Sequence, residues 1–164
     1  MRKNLLHRAV PVMLAVLWLL MLPGCNMETF HKNEQYVAEV KRLVNGLVDG
    51  TRKLKQLDDS FNCHDNEKVQ SYLNVTDELI GNLEQIQKLQ STNEFDEMDK
   101  NLKTTAKSQL ILVSQIRILV CHARESGDDS IYQREKKTYM DDYQKNYEKM
   151  RELSSEIQTY WRNA

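Results

Sequence analysis

Apolar residues in this chain return every three or four positions along four successive stretches, the spacing that lines one face of an α-helix. The first stretch carries Tyr36, Val40, Leu43, Val44, Leu47, Leu54 and Leu57, and the second Val69, Tyr72, Leu73, Leu79, Leu83 and Ile86. The third runs through Phe95, Met98, Leu102, Ala106, Leu110, Val113, Ile116 and Val120. The fourth runs through Tyr132, Tyr139, Tyr143, Tyr147, Met150, Leu153, Ile157 and Trp161. Polar breaks separate them. In SFNCHDN (60–66), Asp65 or Asn66 would cap the second helix by accepting from its unpaired first amides. In STNE (91–94), Ser91 with Glu94 three positions on matches a capping box, which predicts a third helix opening at Ser91. In SGDD (126–129), Gly127 can take the left-handed conformation that ends a helix. Short links leave long helices little choice of arrangement, so the prediction is all-α: an antiparallel up-down four-helix bundle over residues 35–164. Gly46 and Gly50, four apart in the first helix, would let a neighbouring helix come close.

Ahead of the periodic region stands a different kind of segment. Arg2, Lys3 and Arg8 precede an unbroken apolar run from Ala9 to Leu22, 14 residues long. A basic start and a short apolar core read as an export signal, and the run is too short to span a bilayer comfortably. It ends in Leu22-Pro23-Gly24-Cys25, which resembles the lipobox of bacterial lipoproteins, a cysteine after a small residue with a leucine three places back. The resemblance covers only residues 1–25. It implies that residues 1–24 are removed, that Cys25 carries lipid, and that residues 25–34 serve as anchor and tether. It further implies an exported protein held at a bacterial membrane. Asn26 stands where an inner-membrane retention aspartate would be, which points to the outer membrane facing the periplasm in a host with two membranes.

Composition sharpens this picture. The three leader charges are all basic, so 20 of the 23 lysines and arginines face all 24 acids in the rest, a balance of minus four. That argues against a nucleic-acid-binding face, which needs clustered positive charge. Both prolines lie in the leader, so nothing interrupts helix after Cys25.

Two stretches share a pattern that invites chemistry: CHDNE (63–67) and CHARE (121–125). The up-down topology puts Cys63, after the first helix, and Cys121, near the end of the third, at the same membrane-distal end. In an oxidising compartment the two form a pair, and closing so long a loop contributes on the order of 3 to 4 kcal/mol. The rival is a zinc site made by Cys63, His64, Cys121 and His122. Paired zinc ligands, however, are usually two or more residues apart, since adjacent side chains on a helix diverge. For a di-iron bundle only Glu28-x-x-His31 matches where two such motifs are needed. No nucleophile, phosphate-loop or metalloprotease motif occurs, so neither an enzyme nor a cofactor is expected. Asp58-Asp59, Asp128-Asp129 and Asp141-Asp142 read as helix ends and a solvated face.

What remains points to binding. LILVSQIRILV (110–120) is apolar on more of its circumference than a bundle helix usually buries. Ile111 and Ile118 fall away from Leu112, Ile116 and Leu119, and this flank is the candidate surface for a protein partner. The fourth-helix tyrosines would edge the core with hydroxyls reaching water, or line a small-ligand site. Trp161 and Arg162 belong to the end nearest the lipid, where they would either meet headgroups or pack onto the bundle. The expected function is non-catalytic partner binding at the membrane. In its plan of acylated cysteine, helical bundle and one disulfide, the chain resembles the small helical pilotin lipoproteins that escort secretin subunits. A secretion or conjugation accessory, an immunity-type inhibitor and a small-ligand or sensory bundle would share these features.

Overall fold

The structure, a computed structural model, describes residues 27–163. The leader and Cys25 lie outside the described residues. Four helices follow one another: α1 (Met27–Asp58), α2 (Asn66–Lys88), α3 (Asp96–Ser126) and α4 (Asp129–Asn163). Among the described residues there is no strand.

α2 and α4 each pack against both α1 and α3, so the four backbones ring one core. Side-chain pairs fix the directions. Arg42 reaches Gln85 and Lys53 pairs with Glu78, so α1 and α2 run oppositely. Arg117 pairs with Asp77 and Gln87 bonds to the Lys103 carbonyl, so α2 and α3 do too. Phe30 stacks on Trp161 while Thr51 bonds to Tyr143, which sets α4 against α1. The bundle is therefore antiparallel and up-down, as the spacing predicts. Its core is the expected faces: Val40, Leu43, Val69, Leu83, Leu102, Val113, Ile157 and others are fully buried.

Local chemistry explains most helix ends. The Asp65 carboxylate accepts from the Lys68 amide and caps α2. Gly127 closes α3 at φ 65°, a conformation that costs a residue with a Cβ more than it costs glycine. The Asp128 carboxylate accepts from the Ser130 amide at the start of α4.

Two boundaries differ from expectation. α1 begins at Met27, not near Gln35, so most of the segment expected to be a tether is helix. Its second turn is held by tertiary contacts: Asn33 is 2% exposed and donates to Glu94 at 2.6 Å. The same bond dismantles the expected capping box. With Glu94 drawn to Asn33, α3 opens at Asp96, and Ser91 donates to Asp96 rather than capping. The chain instead turns at Thr92–Phe95 to seat the fully buried Phe95 against Tyr36, with ring centres 5.2 Å apart.

Gly46 and Gly50 do bring α1 and α2 together. A Cβ on Gly50 would sit 2.6 Å from Leu79 Cδ2, and one on Gly46 would sit 2.7 Å from Asn82 Nδ2. The two neighbours differ in freedom: Leu79 is 1% exposed in the core, whereas Asn82 is only half-buried and can swing aside. Gly50→Ala should therefore destabilise the fold by about 1 to 2 kcal/mol despite a helix-propensity gain of up to about 1 kcal/mol. Gly46→Ala should be neutral or stabilising by up to about 1 kcal/mol. Chemical denaturation of the two variants checks the contrast, and equal losses would contradict it.

Candidate functional site

Five large hydrophobic side chains among the described residues are exposed, and they gather in two places. Ile111 and Ile118 stand on α3, 56% and 57% exposed. Met27, Phe30 and Tyr160 stand at the end formed by the start of α1 and the close of α4.

The α3 pair lies two turns apart on one side of the helix, about 10 Å along its axis. By the helical step, Leu112 and Leu119, both half-buried, shade toward α4. On the other flank Arg117 is held by Asp77 of α2 at 2.7 Å, a charged rim. Between the isoleucines lie Ser114, whose hydroxyl donates to the Leu110 carbonyl, and the half-buried Gln115. The result is a low apolar ridge with one charged edge. Ile116 does not belong to it. Ile116 is fully buried because it lies three and four positions from Val113 and Val120, both core residues, and so faces inward.

Tyr132, Tyr143 and Tyr147 of α4 are core, whereas Tyr139 is half-buried at the rim. Tyr132 and Tyr143 are 0% and 1% exposed, and their hydroxyls meet protein rather than water. Tyr132 bonds to Asp58 and to the Tyr72 hydroxyl at 2.5 Å, while Lys136 reaches the other Asp58 oxygen at 2.9 Å. Phe61 stacks on Tyr132 with centres 4.0 Å apart and closes this cluster. Asp58, expected as a plain helix end, is thus the acceptor at its centre. At the opposite end Tyr36 donates to Asp99 at 3.0 Å, and Lys103 holds the other Asp99 oxygen at 2.7 Å. Each buried carboxylate meets one tyrosine hydroxyl and one lysine.

Cys63 and Cys121 occur as free thiols, at the same end of the bundle. Cys63 is buried, its amide donating to Asp129 at 2.7 Å, and Cys121 is half-buried against the same core. Burial, followed by the nearby Asp129 carboxylate, pushes the Cys63 thiol above its ordinary value. His64 and His122 are exposed, and Gly127 borders the His64 ring. Among the described residues no three His, Cys, Asp or Glu side chains converge as metal ligands would. Glu28 and His31 both face solvent.

Trp161 is half-buried and packs on Phe30, with ring centres 4.8 Å apart, while Arg162 is exposed. No described helix is long and apolar enough to cross a membrane. No family model, curated protein or solved structure matches the chain. The geometry alone therefore defines the class: a four-helix bundle whose surface carries two separate apolar sites.

Desolvation raises Tyr36, Tyr72, Tyr132 and Tyr143 above the usual 10.0, Tyr143 to about 12. A group whose folded pKa is raised stabilises the fold fully below its unfolded value and loses that contribution as pH rises through the folded one. Stability should hold up to about pH 10 and then fall. Phenolate absorbance followed together with circular dichroism checks this: these four rings should ionise only as helicity is lost. Ionisation of all seven tyrosines with helicity intact would contradict it.

Proposed function

We propose that this chain is a non-catalytic, lipid-anchored envelope protein that binds a protein partner through the outer face of α3. The observation that carries the reading is the exposed pair Ile111 and Ile118, flanked by the half-buried Leu112 and Leu119 on α3. Water gains by leaving such a ridge, and an amphipathic helix with apolar residues at matching spacing would cover it. The Arg117–Asp77 rim supplies both signs of charge for orienting that helix.

Anchoring rests on the LPGC run, with Cys25 as the acylated residue. At the far end, export would oxidise Cys63 and Cys121 to a disulfide joining the α1–α2 link to α3. Their place at one end, both against the core, supports this clasp. A pilotin-like or secretion-accessory role fits best, because such a protein needs an anchor, a stiff body and one docking face.

Two measurements test the proposal. Peptide mass spectrometry of protein isolated from membranes without reduction should find a lipid-bearing N-terminal Cys25 and a Cys63 peptide linked to a Cys121 peptide. An unmodified Cys25 rejects the anchor, and two free thiols reject the clasp. Second, Ile111→Asp and Ile118→Asp should each reduce recovery of the co-purifying partner at least tenfold. Their melting should stay near that of the parent, since surface changes typically shift stability by no more than about 0.5 kcal/mol. Undiminished recovery would mean that binding lies elsewhere.

A further inference from the structure

The second apolar site faces the end at which the N-terminal segment enters. Met27 is 71% exposed, Phe30 one turn later is 55% exposed, and Tyr160 is 45% exposed. Phe30 and Trp161 stack at 4.8 Å, and Tyr160 meets the buried Phe95 edge-on with centres 5.5 Å apart. α1 and α4 are thereby joined at this end by rings whose outer sides remain bare.

From this we propose that the Met27, Phe30, Tyr160 and Trp161 end face rests in the headgroup region of a lipid bilayer and holds the bundle upright on it. The inference rests on the membrane attachment proposed above, and it explains what covers this face. Met27 is already helical and follows Cys25 by two positions. One or two extended residues reach about 7 Å at most. An acyl group on Cys25 would bring the bilayer surface to Met27. A retained apolar run ending at Leu22 would bring it nearly as close.

The chemistry of the face suits an interface rather than hydrocarbon. Of its nearby charges on α1, Lys32 and Glu28 pair at 2.7 Å. Arg162, exposed beside Trp161, supplies a basic tip for lipid phosphate. Tryptophan and tyrosine rings favour the same depth, where ring and polar edge each find their medium. A fixed seat has a geometric consequence. Asp99 bonds to Tyr36, about 13 Å of helix rise from Met27, so Ile111 and Ile118 stand roughly 30 and 40 Å above the Met27 end. The partner must present its helix at that height.

The test uses the full chain, with Trp18→Phe so that Trp161 is the sole indole, reconstituted in phosphatidylcholine vesicles containing phosphatidylglycerol. Flotation reports attachment, and Trp161 quenching by lipids spin-labelled at shallow or deep acyl positions reports the seat. Shallow labels should quench at least twofold more than deep ones, acrylamide quenching should fall at least twofold relative to detergent, and Phe30→Ser should halve the lipid effect. Vesicle-bound protein whose Trp161 ignores both labels and remains open to acrylamide overturns the seat while leaving the anchor intact. Chain that does not float overturns the attachment itself, and this inference with it. A Trp161 shielded from acrylamide without lipid quenching means that protein covers the face, which also overturns the proposal.

Discussion

The bundle depends on keeping two buried carboxylates satisfied, one at each end. Asp99 is 5% exposed, and the Asp58 side chain is 11% exposed. A charge removed from water is tolerable only when a counter-charge and hydrogen bonds replace its hydration. At both ends the replacement is a tyrosine hydroxyl and a lysine ammonium. Tyr36 and Lys103 serve Asp99, while Tyr132 and Lys136 serve Asp58. Apolar layers between them would tolerate a helix sliding by a turn. These polar layers would not, because a slip would leave a buried charge without partners. α1 contributes to both clusters, through Tyr36 and Asp58, so its two ends are pinned to the other helices.

That pinning connects the fold to its surface. α3 is clamped at Asp99 and closed by the Gly127 turn, and its outer face runs as continuous helix between them. Ile111 and Ile118 are presented on a rigid element, the better support for a docking site than a loop. The other apolar site lies at the end where α1 begins, and it is rigid for the same reason: Asn33 and Phe95 fasten the first turns of α1 to the α2–α3 link.

The helices were legible in the sequence because their faces obey one period and their core positions are plainly apolar. Asp65 and Gly127 were legible too, since each acts through bonds made within a few residues. What escaped depends on partners distant in sequence. Ser91 and Glu94 have the right spacing for a cap, yet Asn33, 61 residues earlier, claims Glu94. Asp58 reads as a helix end until Tyr132 and Lys136 fold onto it. Tyr132 and Tyr143 carry hydroxyls that suggest a wet rim, and only their partners Asp58, Tyr72 and Thr51 let them sit in the core. On α3 the exposed flank is readable from the excess of apolar residues, but Ile116 faces inward and lies outside it. The start of α1 at Met27 gave no periodic signal, because Phe30 is exposed and Asn33 is the buried residue there.

In the proposed role the chain is a spacer with two dry faces, one turned to lipid and one offered to protein about 30 to 40 Å above it by helix rise. Its central claim is that the partner meets α3 at Ile118. The most direct measurement is photocrosslinking in native membranes from a photoreactive residue placed at position 118, compared with one at position 38, which is exposed on α1. The account predicts one discrete protein adduct from position 118 and none of that size from position 38. The same adduct from both positions, or from position 38 alone, would contradict it.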